Sequence, residues 1–307
     1  EIQSYDYEGE MYKLETRNSS MLITPDHQIF FAPEKSNDFR LGVAKESKWM
    51  RARMRFSSAV AWSGSSPDEL YYELPPVFMT DGRSLGDQSK TRQVPLESWL
   101  EFSGWYISEG SSWVTKTNYT VCITQNPGYK QDRILRIVSE LGYHAKIYNT
   151  NQVLVCSKQL YMSVQQFGHL ARNKKLPHEY CLKSPNQLKH LFYGLMCGDG
   201  DSDWRRYSTT SVKLADSVQE IALKLGYGAW ISVEECKKVN HSKLYRVNIR
   251  PNTAINTKRR HRTVEHYVGR VFDVTVPNHT ILVRKDGKPI WSGNCGTYKG
   301  GREKAPA

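Results

Sequence analysis

Nowhere among the 307 residues is there an apolar run approaching the ~18 residues of a membrane-spanning helix, so no membrane partner is expected. No signal peptide is expected from the residues at hand. No CxxC pair occurs either. The six cysteines stand apart at 122, 156, 181, 197, 236 and 295, a scatter that disfavours zinc and disulfide frameworks. It suits a reducing, intracellular compartment, cytoplasm or nucleoid. Acid is in short supply: 31 Asp and Glu face 43 Lys and Arg, leaving a net charge of +12. An excess of that size points to a polyanion, nucleic acid foremost. What the chain does have is a 39% hydrophobic content with 11% aromatics, enough for folded cores and against disorder. Its length calls for two domains.

The stretch 271–295, VFDVTVPNHTILVRKDGKPIWSGNC, carries the densest pattern. Alternation from Val271 to Val276 predicts a half-buried strand. Pro277-Asn278 turns the chain, Thr280–Val283 makes a second strand, and Asp286-Gly287 signals a tight hairpin into a third. The last strand ends on Asn294-Cys295. An Asn amide can attack its own backbone carbonyl, closing a succinimide and cleaving the peptide bond behind it. A Cys at that bond supplies a sulfur nucleophile. Alone the dipeptide is ordinary. Set at the end of this hairpin, it resembles the C-terminal splicing motifs of inteins. The resemblance implies that Asn294 cyclises, that Cys295 is the acceptor nucleophile opening a C-extein tail, and that Asp273 and His279 assist. Inteins usually carry His before the terminal Asn, and here Gly293 stands there. His279 is then expected to assist alone, or cyclisation to be slow.

Near the start, two alternating runs, 10–16 and 21–23, flank a turn at Asn18–Ser20 and lead into Thr24-Pro25-Asp26-His27. On residue types that tetrapeptide is a turn, with Pro at its second position. In its setting it also resembles the intein motif that places Thr and His three apart. By that resemblance Thr24 and His27 sit at the N-terminal scissile bond, where the His drives the N-to-S acyl shift. The family's opening motif, which begins with a Cys or Ser nucleophile, is missing, since Cys122 is the first cysteine. The expectation is the larger half of a split intein, or a truncated one, acting with a separate N-terminal fragment and needing no cofactor for splicing.

Between these motifs lies an internal repeat. SGWYISEG at 103–110 resembles YGLMCGDG at 193–200, each after a helical apolar pattern. ILRIVSELGYHAKIY at 134–148 resembles VQEIALKLGYGAWIS at 218–232: an amphipathic helix, a Gly stop and a strand. The two short motifs resemble LAGLIDADG, the signature of a homing-endonuclease family. That resemblance implies two small-residue helices packed at a pseudo-dyad, each ending in an acid, Glu109 and Asp199, that holds Mg²⁺ at a scissile phosphate. Ser108-Glu109 departs from the usual Ala-Asp. Residues 98–256 carry 20 Lys and Arg against 12 Asp and Glu. The strands after each motif are expected to form a saddle for double-stranded DNA. Lys116, Asn118, Thr120 and Gln125 are the candidate contacts in one half, and Arg205, Arg206, Ser208 and Thr210 in the other. Lys174 or Lys175 is either the basic residue this family places near the metals or part of a solvated charge cluster. The basic run 258–262 is expected to be an exposed loop.

The sequence thus reads as an all-β, horseshoe-like (Hint-type) splicing domain interrupted by an α+β endonuclease with two pseudo-symmetric repeats. Boundaries are expected at 1–95 and 257–294 for splicing, 96–256 for a monomeric endonuclease, and 295–307 for the extein tail. Two other readings stay open. One is a maturase-like or cleavage-dead nucleic-acid-binding module. The other is a hedgehog-type autoprocessing domain, which shares the Thr-x-x-His motif.

Overall fold

The computed structural model describes residues 2–65, 68–116, 118–235 and 243–294. It divides into two compact units, the first built from 1–59, 228–230 and 252–307, the second from 60–227 and 231–251. Among the described residues no helix is long and apolar enough to cross a membrane.

The first unit opens with strands β1 (Ile2–Glu15), β2 (Ser20–Ile23), β3 (Gln28–Pro33), β4 (Arg40–Val43) and β5 (Met54–Ser57). The chain then builds the second unit, beginning with β6 (Tyr71–Leu74) and β7 (Arg92–Pro95). Its first half continues with α1 (Leu96–Glu109), β8 (Gly110–Val114), β9 (Tyr119–Thr124), α2 (Tyr129–Glu140), β10 (Ala145–Tyr148), β11 (Gln152–Cys156) and α3 (Lys158–Val164). A short α4 (His178–Cys181) leads into the second half: α5 (Pro185–Asp199), β12 (Arg206–Thr209), α6 (Val212–Lys224), β13 (Gly228–Glu234, its first three residues counted with the first unit) and β14 (Leu244–Arg250). The first unit is then completed by β15 (Ala254–Thr257), β16 (Arg262–Val274), β17 (Thr280–Lys285) and β18 (Lys288–Gly293).

In the first unit the two ends of the chain are laced together. β1 and β16 pair antiparallel from Ile2↔Val274 to Leu14↔Arg262. A six-stranded sheet runs β15-β5-β3-β18-β17, with β4 on β3. Its core gathers Leu14, Ile29, Trp49, Met54, Phe56 and Ile290. The predicted Asp286-Gly287 turn forms with positive φ at both residues, 51° and 72°, the backbone that a two-residue hairpin loop requires. Arg262, expected on an exposed loop, is instead buried at 1% exposure, its guanidinium over the Trp49 ring and bonded to the Ala52 carbonyl.

In the second unit α1 and α5 pack against each other through glycine. A Cβ on Gly104 would meet the Leu191 carbonyl oxygen at 2.5 Å, and one on Gly194 the Glu101 carbonyl oxygen at 2.4 Å, so no side chain fits at either place. Leu96, Trp99, Leu100, Ser103 and Ile107 follow the helical period and are all buried. The duplicated LGY ends adopt the same Schellman cap. Tyr143 N–H donates to Val138 O and Gly142 N–H to Ser139 O. Tyr227 N–H donates to Ala222 O and Gly226 N–H to Leu223 O, all at 2.9–3.0 Å. Each half adds an antiparallel sheet, β10-β11-β9-β8 and β12-β14-β13.

The division falls earlier than the sequence suggested. Residues 60–95, expected with the splicing part and partly as a linker, belong to the second unit. β6 pairs with β7, Leu74 and Val94 are buried, and Tyr72 stacks on Trp99 of α1 at 4.7 Å. Aromatic burial outweighs the loop-like composition of 64–91.

Candidate functional site

Two groups of polar side chains stand out, one in each unit. In the second unit α1 and α5 end on Glu109 and Asp199, each followed by a glycine in extended backbone. A Cβ on Gly110 or Gly200 would strike the carbonyl oxygen of Tyr106 or Met196 at 2.4 and 2.3 Å. Glycine therefore lets each chain leave its helix at the acid. Close helix packing brings the acids together, since a Cβ on Gly198 would touch Glu109 Cγ at 3.3 Å. Asp199 keeps solvent-exposed surface. Even so, the protein mass around its carboxyl, and after that the facing Glu109, push its pKa up to about 7. Burial also raises Glu109, against the pull of Lys130. Tyr207, fully buried, donates to Asp199 Oδ2 at 3.4 Å and lies 3.2 Å from Ser108 Oγ.

Lysines complete this site. Lys174, 7% exposed, donates to the Tyr106 and Gly110 carbonyls at 2.9 and 3.0 Å, and its Nζ lies 4.0 Å from the Tyr106 ring centroid. Burial lowers its pKa to about 8 while Asp199 holds it up. It lines a cavity of about 430 Å³ with Asp199, Ser108 and Gly110. Lys175, by contrast, is exposed. Lys130 at the start of α2 donates to the Cys197 carbonyl of α5 at 2.6 Å. The two ammonium groups thus sit on the carbonyl ends of the two acid-bearing helices, where helix dipoles favour cations. Lys130, Tyr207 and Ser108 are not marked by the repeat as functional. Only their adjacency to the motif helices in space singles them out.

The expected DNA contacts divide. Lys116, Asn118, Arg205 and Arg206 are exposed and Gln125 is half-buried. Arg205 and Arg206 ride a loop organised by Asp201, whose Oδ1 accepts both backbone N–H groups at 2.7 and 3.0 Å. Ser208 and Thr210 are half-buried. Thr120 is buried at 5% exposure in mid-sheet, opposite Trp113 and Cys156, so it does not reach a groove.

In the first unit the residues singled out at the two ends of the chain meet. Thr24, His27, Asp273, Ser292, Gly293 and Asn294 line one cavity of about 390 Å³. The Thr24–His27 turn closes with His27 N–H donating to Thr24 O at 3.1 Å. His27 Nε2 lies 2.9 Å from Ser292 Oγ. Burial depresses its pKa, partly offset by Asp273 and by a hydrogen bond to the Gly293 backbone. Asn294, 1% exposed, is held on three sides: its N–H donates to His279 O at 3.0 Å, its Nδ2 to Val274 O at 2.8 Å, and its Oδ1 lies 3.2 Å from His279 Nδ1. His279 sits at φ 54°, in the left-handed region, which lets its carbonyl and ring face Asn294 together. Cys295 lies outside the described residues, as does the tail after it. Ser292 is the participant that sequence reasoning missed.

No family model matches the chain. It is 23% identical to the ATP-dependent Clp protease proteolytic subunit of Chlamydomonas moewusii over 270 residues, covering 83% of this chain and 26% of that protein. It is also 23% identical to the C-terminal section of the DNA-directed RNA polymerase subunit beta of Stigeoclonium helveticum over 358 residues, 94% of this chain and 32% of that one. The chain thus spans about a quarter to a third of the length of the curated relatives it matches. Among solved structures it is similar over 50% of its length to the homing endonuclease I-DmoI in complex with DNA and Mn, at 19% identity and a TM-score of 0.39, covering 89% of that chain. Mesophilic variants of I-DmoI give 18%, the same TM-score and 88%. The homing endonuclease I-WcaI bound to its DNA recognition sequence gives 10% identity over 50% of this chain and 76% of that one, at a TM-score of 0.33.

Proposed function

We propose that this chain is part of an intein that carries a LAGLIDADG-type DNA endonuclease, the first unit being a Hint-type splicing domain. The observation that carries the reading is the meeting of Thr24, His27, Asp273 and Asn294 at one cavity, although nearly the whole second unit separates them in sequence. A self-processing unit interrupted by a separate globular insert has that organisation. The two curated relatives add support. A protease subunit and a polymerase subunit are unrelated machines, yet each shares a segment of this kind over a minor part of its length. An in-frame insert common to different hosts behaves so.

In the first unit the Asn294 Nδ2 attacks its own carbonyl carbon. The new C–N bond closes the succinimide, the bond to the Cys295 nitrogen breaks, and the proton lost by Nδ2 is matched by one gained on the departing amine. Before that step the Cys295 thiol takes the acyl group from the thioester or ester at the first splicing residue, that bond breaks, and the first residue's own thiol or hydroxyl leaves with the Cys295 proton. His279, on the side-chain amide, is the proton-handling group, worth about 10²–10⁴-fold.

In the second unit Glu109 and Asp199 are the acids of a phosphodiester hydrolysis on double-stranded DNA. Two facing carboxylates, with the Asp199 pKa raised first by burial and then by Glu109, would suit a hard divalent cation. Among the described residues no cluster of three or more His, Cys, Asp or Glu occurs. Mg²⁺, which keeps most of its water, needs no more than one or two carboxylates from a protein. When bound it would lower the pKa of attacking water and offset phosphate charge. Lys174, buried against the same cavity, is placed to balance charge on the phosphate, and Lys116, Asn118, Lys175, Arg205 and Arg206 supply backbone affinity.

The test uses two readouts on the full chain. Intact-mass analysis should show slow cleavage between Asn294 and Cys295, absent in Asn294→Ala. Plasmid carrying the host gene with the insert removed should be cut with Mg²⁺ and bound but uncut with Ca²⁺. Cleavage undiminished in Asn294→Ala overturns the splicing half. Binding without cutting under Mg²⁺ favours the binding-module reading of the second unit.

A further inference from the structure

We infer that His27 is the positioning residue of C-terminal cleavage, holding the Ser292-Gly293 backbone so that Asn294 presents its amide to its own carbonyl. The inference rests on the splicing reading and goes beyond the role expected of the Thr-x-x-His motif at the other scissile bond.

Three observations carry it. First, no side chain can enter this site from position 293. A Cβ there would lie 2.6 Å from the Gln28 carbonyl oxygen and 2.7 Å from Gln28 Cβ, and the carbonyl belongs to β3, which cannot yield without breaking its sheet. Second, the neighbour of that obstructing residue, His27, reaches the same place from the turn just before β3. β3 pairs with β18 at Ile29↔Ser292, which sets His27 beside the strand end. Its Nε2 lies 2.9 Å from Ser292 Oγ, and its ring bonds the Gly293 backbone. Third, the strand end is buried: Ser292 is 2% exposed and Asn294 1%. Two imidazoles therefore bear on this strand end at different residues. His279 holds the side-chain amide at 3.2 Å, and His27 holds the backbone that leads into it.

Burial keeps the His27 ring toward its neutral form at neutral pH. A positioning role of this kind needs hydrogen bonds and no charge. The succinimide step leaves the His27 proton count unchanged, its bond changes being those already given at Asn294.

Intact-mass analysis isolates this step, because cleavage at the Asn294–Cys295 bond releases a product of its own mass. Intact-mass time courses should show His27→Leu slowed about 10- to 100-fold, the range for losing a buried hydrogen-bonded partner. His27→Gln, a neutral hydrogen-bonding replacement, should stay within about threefold of the parent chain. Ser292→Ala, which removes one partner without a large volume change, should slow cleavage about three- to tenfold. Unaltered far-UV circular dichroism and Tm are required of each variant, and a purely structural role for His27 would move Tm in step with rate. Leu and Gln variants that cleave alike, or a Ser292→Ala chain as fast as the parent, overturn the inference while leaving the splicing reading intact. A parent chain that never cleaves, or cleavage surviving Asn294→Ala, overturns the splicing reading itself and this inference with it.

Discussion

The two sites are assembled in opposite ways. In the second unit a repeat writes the same instruction twice, and the product is a pair of helices meeting at Gly104 and Gly194 with an acid at each end. In the first unit nothing is repeated. Residues 24–27 and 273–294 meet because β1 pairs with β16 and β3 with β18. Pseudo-symmetry makes a site legible but does not make its halves equal. Asp199 is pushed up to about 7 by burial and then by Glu109, whereas Glu109, also raised by burial, is held back by Lys130. Lys174 reaches α1 from a loop, whereas Lys130 reaches α5 from a helix. A duplicated backbone can carry two differently tuned acids.

The sharpest break between the regions is chemical independence. Asp199→Asn should lower plasmid cutting by about 10²–10³-fold, the scale for a group that stabilises transition-state charge. DNA affinity and the Asn294–Cys295 cleavage rate should be unchanged. Asn294→Ala should do the reverse. Paired plasmid and intact-mass assays check this, and an effect that crosses from one region to the other defeats the comparison.

Next comes packing. Gly194→Ala places a Cβ against the backbone of α1, so an overpacking cost of about 1–3 kcal/mol or more is expected, read as a lower denaturation midpoint with loss of cutting. Gly226→Ala, where a Cβ meets nothing within 4 Å but φ is +86°, should cost about 1 kcal/mol and spare activity.

A smaller effect separates the two acids. The folded-state pKa of Asp199 lies above its ordinary 3.8, so the folded chain holds that proton more tightly than the unfolded one. Stability is therefore fully present below about pH 4 and is lost as pH rises toward about 7, by on the order of 1 kcal/mol once solvent screening is allowed for. Thermal melts from pH 4 to 8 should show the decline. Asp199→Asn should flatten it, and Mg²⁺ should raise Tm more at pH 8 than at pH 5. Equal metal effects at both pH values would place the cation elsewhere.

Smallest of all is the basic surface. Arg205→Ala should weaken DNA binding a few-fold and reduce the slope of log affinity against log salt by about 1, without changing cutting at saturation. Fluorescence anisotropy over a salt series measures it.

Residue order by itself determined the repeat, the glycine-stopped helices, the Asp286-Gly287 hairpin and the acids at the two helix ends. These are local rules: periodicity, the need for positive φ, and the close approach that only glycine allows. The capping box of Ser184 and Gln187 that starts α5 belongs with them. Tertiary structure decided the rest. It moved residues 60–95 into the second unit, because buried aromatic area counts for more than turn-rich composition. It took Lys174 out of solvent and left Lys175 there, a choice that two adjacent lysines in a sequence cannot express. It buried Thr120, and it brought Tyr207 to Asp199, Lys130 to the end of α5 and Ser292 to His27. Each depends on which strand lies beside which, and long-range pairing is fixed by the sum of many weak contacts and not by any one stretch of chain.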